Sequence, residues 1–159
     1  MTKKQMKLGL FLMGTGHHIA SWRHPEAQAD ASENVEFFKE VAVKAEEGKL
    51  DMLFLSDGLT FNELSHPAEQ VRFEPLTLHA VLSTVTKNIG LTATASTTYN
   101  EPFHIARKFS SLDHLSGGRA AWNIVTSYYV AEASNFNQDQ HLDHSLRYDR
   151  ADEFVEVVK

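Results

Sequence analysis

The sequence predicts an α/β domain built on parallel strands, and three observations carry that prediction. Short apolar runs alternate with segments of helical periodicity in the order β-α-β-α-β-α-β-α, which implies parallel strands joined by crossovers. The helix-to-strand turns are tight, at Gly48 to Leu50, Lys87-Asn88 and Leu115 to Gly118. Three strand-to-helix connections are long and polar: Gly14 to Ser32, Gly58 to Phe73 and Ser127 to Asp143. Long loops in compact domains are uncommon unless functional, and parallel α/β folds bind ligands beyond the carboxyl ends of their strands. The site is therefore expected on the loops opened by Met13, Asp57, Thr97 and Thr126.

Taken in order, Lys7 to Met13 is a nearly all-apolar run, as expected for a strand covered on both faces. Val35, Phe38, Val41, Ala42 and Ala45 recur at helical spacing and stop at Gly48. Asp51 to Asp57 is a second buried strand, and Glu74-Pro75 opens a helix through about Lys87. Ile89 to Thr97 is a third strand, rich in Thr and light in bulk. Asn100-Glu101-Pro102 starts a third helix, ended by Gly117-Gly118. Arg119 to Thr126 is the fourth strand, and the last helix begins near Ser145, with Tyr148, Ala151, Phe154, Val155 and Val158 in register. That pattern reaches Val158 with no stop signal. Four βα units are one short of a flavodoxin-like domain and half of a (β/α)₈ barrel, so the expectation is of a chain cut short.

Composition narrows the function. The 159 residues are 42% hydrophobic and 23% charged, near the globular average. Fifteen Lys+Arg against 21 Asp+Glu give a net charge of −6, which offers no basic footprint for nucleic acid or anionic membrane. No apolar run approaches the ~18 residues of a bilayer span. The chain has no Cys, hence no disulfide, thiolate metal site or Cys nucleophile. A cytoplasmic location is expected.

Several side chains stand out. Trp22 and Arg23 in the first loop suit an aromatic or anionic ligand by stacking and forked hydrogen bonds. His17, His18 and His24 share no local spacing with a carboxylate, and no metal is expected. Asp57 closes the second strand, as a turn former or as a carboxyl in the site. Thr92, Thr94 and Ser96 share one face of the third strand, where small hydroxylated side chains leave room for a flat ligand; close helix packing over the alanine face is the other reading. Asn123 faces opposite to Trp122, and its amide must be satisfied by a neighbouring loop or by a ligand. Asp143 is an N-cap candidate, which leaves His141 outside the helix and puts His144 and Tyr148 one turn apart, able to reach the same ligand. No residue is assigned to the chemical step.

The stretch TATASTTYNEPFHIARKFSSLDHLSGGRAAWNIVTS, with WRHP before it and the His-x-x-x-Tyr of His144 and Tyr148 after it, resembles the nitrilotriacetate and EDTA monooxygenase component A branch of the bacterial luciferase-like flavin monooxygenases. The resemblance runs from about Lys7 to Lys159. It implies that residues 1–159 form a single partial domain, the N-terminal half of a (β/α)₈ TIM barrel. It implies reduced FMN delivered by a separate NAD(P)H:flavin reductase, and O₂ used to oxygenate a C–N or C–S centre of a small organic substrate. Asp57, Thr94, His144 and Tyr148 correspond to the family's flavin contacts, with Trp22, Arg23 and Asn123 as weaker substrate-site candidates. The alternative is a non-catalytic half-barrel that self-associates through open strand edges and binds flavin weakly or not at all; homo-oligomers through those edges are expected in either case.

Overall fold

In a computed structural model, residues 5–61, 63–65 and 70–159 are described. Residues 1–4, which open the basic N-terminal stretch, and residues 62 and 66–69 of the Gly58 to Phe73 connection lie outside them. Four strands, β1 (Gly9–Phe11), β2 (Met52–Leu55), β3 (Gly90–Ser96) and β4 (Ala120–Val125), pair in parallel in the order β1-β2-β3-β4. Between and after them run α1 (Val35–Glu47), α2 (Pro75–Leu82), α3 (Pro102–Ser116), a one-turn α4 (Glu132–Asn135) and α5 (His144–Val158). Sequential neighbours all along the sheet exclude the doubly wound alternative, whose strand order reverses at a switch point. Chain-order parallel pairing of this kind is that of consecutive βα units of a (β/α)₈ barrel.

Local chemistry sets the helix limits. Asn34 caps α1, its Oδ1 accepting from the N–H groups of Glu36 and Phe37 at 3.1 and 3.2 Å. The Glu74 carboxylate does the same for α2, accepting from Leu76 and Thr77 at 3.0 and 2.7 Å. That helix stops at Leu82 rather than near Lys87. Ser83, Thr84 and Thr86 donate their hydroxyls to the carbonyls of Ala80, Val81 and Leu82, and such local bonds compete with helix propagation. α3 ends where Gly117 and Gly118 take φ of 70° and 86°, a left-handed exit that side chains disfavour.

Two side chains fasten the turns at the amino ends of the strands. Glu46 accepts from the N–H groups of Lys87, Asn88 and Ile89 at 2.9, 2.5 and 2.9 Å. Partial burial works against its charge, but these donors, with Arg119 nearby, hold its carboxyl below the usual range. Arg119 uses its whole guanidinium, donating to Ser83 O, Thr86 O and Oγ1, Ile89 O and Ser116 O at 2.7–3.2 Å.

The helices cover one face of the sheet. Leu53, Leu55, Leu91 and Ala93 pack with Phe38, Ala42, Leu78, Leu82 and Leu112 into a single core. Trp122 joins this side between Phe109 and Phe154. The opposite face carries Phe11, Met52, Phe54, Thr92, Thr94 and Asn123, since register neighbours in a parallel sheet share a face. The expectation that β1 is covered on both faces fails here: Phe11 and Met52 are each 41% exposed. A closed barrel covers this inward face with strands from across the cylinder, and these four strands do not close.

Candidate functional site

Thr94 stands at the centre of the inward face. It is buried, donates its hydroxyl to the carbonyl of Leu55 at 2.8 Å, and accepts from Asn123 Nδ2 at 3.0 Å. Thr94 and Asn123 are register partners on β3 and β4. Asn123 thus gives one amide N–H to a neighbouring strand rather than to a loop, and Thr94 keeps one lone pair free of protein partners. Because Leu55 ends β2, the same bond fixes the chain just ahead of Asp57.

Asp57 is both a turn former and a carboxyl in the cavity. Its Oδ1 accepts from the N–H of Gly58 at 2.9 Å. Burial pushes its pKa up to about 6; the Gly58 N–H and Arg72 oppose the rise, while Glu74 and Glu132 add to it. At the start of α5, Asp143 occupies the N-cap position but makes no side-chain cap bond. One turn apart on that helix, the rings of His144 and Tyr148 lie 4.7 Å apart.

Asp57, Thr94 and Tyr148 line one cavity of about 720 Å³ beyond the carboxyl ends of β3 and β4, with Ser96, Tyr129 and Glu132. His144 is not among its lining residues and reaches it only through the ring of Tyr148. A second cavity of about 780 Å³, with Phe11, His17 and Phe61, opens on the other side; Asp57, Tyr128 and Tyr129 border both. The structure does not bring Trp22 and Arg23 to either cavity. They lie on a one-turn 3₁₀ helix, Ser21–Arg23, with the guanidinium 5.9 Å from the Trp22 ring centroid. The nearby histidines serve the loop: His17 Nε2 bonds the carbonyl of Phe11, and His18 and His24 accept backbone N–H groups two residues on.

Sequence reasoning passed over four residues of the 127–143 connection. Ser127 takes φ of 58°, a costly conformation for a side-chain-bearing residue. Its hydroxyl bonds Ser96 at 2.8 Å and its carbonyl accepts from Arg147. It turns the chain so that Tyr128 and Tyr129, with ring centroids 4.0 Å apart, stand between the cavities. Glu132, only 2% exposed, accepts the Leu59 N–H through Oε1 at 3.0 Å, and Asn135 donates to the Leu59 carbonyl at 2.8 Å. A one-turn helix has no periodicity to betray it, and nothing in the local sequence sets Glu132 apart from its neighbours.

Comparison with known proteins decides the family. The luciferase-like monooxygenase family profile matches residues 6–159. The chain belongs to that family. It is 65% identical over 157 residues to the N-acetyl-S-(2-succino)cysteine monooxygenase of Bacillus subtilis, covering 99% of this chain and 36% of that protein. It is 46% identical to nitrilotriacetate monooxygenase component A of Aminobacter aminovorans, covering 98% and 37%. A riboflavin lyase solved with modified FMN and riboflavin superposes with a TM-score of 0.87 at 32% identity, over 98% of this chain and 37% of that one. The chain thus spans a little over a third of the length of these relatives. They include the component A branch that the Thr92–Ser127 stretch resembles. Among the described residues no helix is long and apolar enough to cross a membrane.

Proposed function

We propose that this chain is the N-terminal, flavin-holding portion of an FMN-dependent monooxygenase that oxygenates a C–S or C–N centre of a small organic substrate. The observation that carries the reading is the convergence of Asp57, Thr94 and Tyr148 on one cavity of about 720 Å³, within the range of small-molecule pockets. The donor set fits a flat heteroaromatic ring: small hydroxylated residues on β3, aromatic rings at the sides, and carboxyl groups at one end. The two relatives are named for a sulfide and for a tertiary amine, which supports the substrate class. Reduced FMN, supplied by a partner NAD(P)H:flavin reductase, brings the electrons that activate O₂.

This chain's own groups do the rest. Thr94, pinned by Leu55 and Asn123, offers its remaining lone pair to the ring. Asp57, with its pKa about 6, can take up or release a proton near neutral pH. The Tyr128–Tyr129 pair and Tyr148 stand along the sides, where a bound ring would pack against them, with His144 behind Tyr148.

Titration with FMN, followed by flavin fluorescence, tests the reading. Binding at about micromolar affinity is expected, weakened roughly tenfold (about 1.4 kcal/mol) by Asp57→Ala and by His144→Ala. Absence of binding at millimolar flavin would leave the second reading, a non-catalytic half-barrel, which the open inward face favours. In either case the outer edges of β1 and β4 have no partner strand within the four-stranded sheet, and we propose that copies of the chain associate through them. A single monomeric species in analytical ultracentrifugation at tens of micromolar protein (an order of magnitude where weak dimers form) would remove that expectation.

A further inference from the structure

Ser127 keeps a side chain where the backbone favours none. Its φ of 58° lies in the left-handed region, which glycine enters with less strain than any residue bearing a Cβ. Among the described residues Lys49 and Asn137 also have positive φ, but they stand in exposed turns. Ser127 is 7% exposed and lines the 720 Å³ cavity. Its conformation is held from both sides: Arg147 donates to the Ser127 carbonyl, and Thr98 Oγ1 donates to the carbonyl of Thr126 at 2.6 Å. Strain that the surroundings fix in this way gathers at functional sites. The hydroxyls show what the side chain offers there. Ser96 and Ser127 share one hydrogen bond, Oγ to Oγ at 2.8 Å, and Ser96 Oγ also accepts the Thr98 N–H at 3.1 Å. Two hydroxyls carry two protons, and one of them fills the bond between the pair. Among the described residues no acceptor takes the other. An oxygen that accepts a bond becomes a better donor, so the chain of bonds runs from the Thr98 N–H through the Ser96 hydroxyl to Ser127. The spare proton then sits on Ser127, the more exposed of the two at the cavity wall.

We propose that Ser127 is a flavin-binding residue, its hydroxyl donating a hydrogen bond to a carbonyl oxygen of the isoalloxazine ring. This rests on the flavin reading of the cavity and adds a donor outside the Asp57, Thr94, His144 and Tyr148 set. The ring's carbonyl oxygens accept in both its oxidised and reduced forms, so the contact serves either. Ser96 lies two residues past Thr94 on the same inward face of β3. Thr94 brings a free lone pair and Ser127 a free proton to one cavity, the complement of an imide edge, in which N–H and C=O alternate.

The test is fluorescence titration of FMN into the full chain and its variants, with infrared difference spectra of the bound flavin. Ser127→Ala keeps the strained backbone and loses the hydroxyl. It should bind FMN about fivefold to tenfold more weakly, the scale of one hydrogen bond, and a ring carbonyl stretch should move to higher wavenumber as its donor is lost. Ser127→Gly removes the hydroxyl and the strain together. It should show the same loss of binding and the same carbonyl shift while unfolding at a higher urea concentration than Ser127→Ala, so that weaker binding does not follow from a weaker fold. Ser96→Ala leaves the Ser127 proton in place and should weaken binding by about twofold at most, with the carbonyl stretch unmoved. A Ser127→Gly variant that binds FMN as the unmodified chain does overturns the proposal. So does a Ser96→Ala variant that loses as much as Ser127→Ala. If the unmodified chain does not bind FMN, the flavin reading of the cavity falls and this proposal with it; if FMN binds and the carbonyl stretch is unmoved in both Ser127 variants, only the role of Ser127 falls.

Discussion

Replacing Arg119 with alanine is expected to cost the fold about 3 kcal/mol, the largest single-residue loss away from the apolar core. The guanidinium donates to four backbone carbonyls and one hydroxyl, drawn from the end of α2, the turn into β3 and the end of α3. Hydrogen bonds from a charged donor contribute roughly 1.5–3 kcal/mol each when made singly. They are not additive here, because the carbonyls near the surface can be rehydrated. Lysine in the same place has one compact ammonium in place of a planar fork and should recover less than half of the loss. Urea unfolding of the three proteins checks this; a change below about 1 kcal/mol in Arg119→Ala would show that water replaces the guanidinium at no cost.

The second large effect is on the pH dependence of stability, and it opposes two buried groups. His79 is fully buried on α2, with Nε2 donating to the carbonyl of Thr92 at 3.0 Å and Nδ1 without a partner. Burial pushes its pKa down to about 4, against the pull of the Thr92 carbonyl and Glu74. Folding therefore demands a neutral ring. Its contribution is complete above the ordinary histidine value of about 6.5 and is lost as the pH falls through 4, about 3 kcal/mol in all. Asp57 has the opposite sign. Its pKa, raised to about 6, makes the folded state hold a proton that the unfolded chain has released, so its contribution is present below about 4 and is lost as the pH rises through 6.

Between pH 4 and 6 the two slopes run against each other, and unfolding free energies at pH 4.5 and 6.5 are expected to differ little. Asp57→Asn removes one slope and leaves the other. That variant should be clearly less stable at pH 4.5 than at pH 6.5, whereas His79→Gln should show the reverse. The carboxyls held below their usual values, such as Glu46 and Asp51, lose their contributions as the pH falls through their ordinary values of 4.5 and 3.8, at the acid edge of this window. An Asp57→Asn variant as flat as the unmodified chain would mean that His79 accepts a proton in the folded state at no cost.

Much of the scaffold was legible in the chain. Pro75 and Pro102 open helices, Gly48 and Gly117 close them, and the alternation of Thr92, Thr94 and Ser96 along β3 gives the inward face. Each is a local statement about which side chains share a face or which residue tolerates a given φ. The helix after Pro75 ran short of its expected end because three hydroxyls bonding back to carbonyls outweighed a pattern that read as helical.

Part of the candidate site was legible for the same reason. Asp57 and Thr94 sit at and near strand carboxyl ends, and the four-residue spacing of His144 and Tyr148 is a helical repeat. Trp22 and Arg23 had an equally suggestive local chemistry, yet they pair with one another away from both cavities. Side-chain type does not say where a long loop will fold back.

By itself, then, the sequence determined the kinds of element, their order and the face each strand turns inward, since these follow from periods of two and 3.6 and from the few residues that start or stop a helix. Only the tertiary structure decided the rest. It set four strands side by side in chain order, carried Tyr148 to Asp57 across 91 residues (148 − 57), and laid a one-turn helix against Leu59 through Glu132 and Asn135. Such placements depend on which apolar faces pack together and on where closing a loop lets its backbone groups find partners, and neither leaves a period in the sequence.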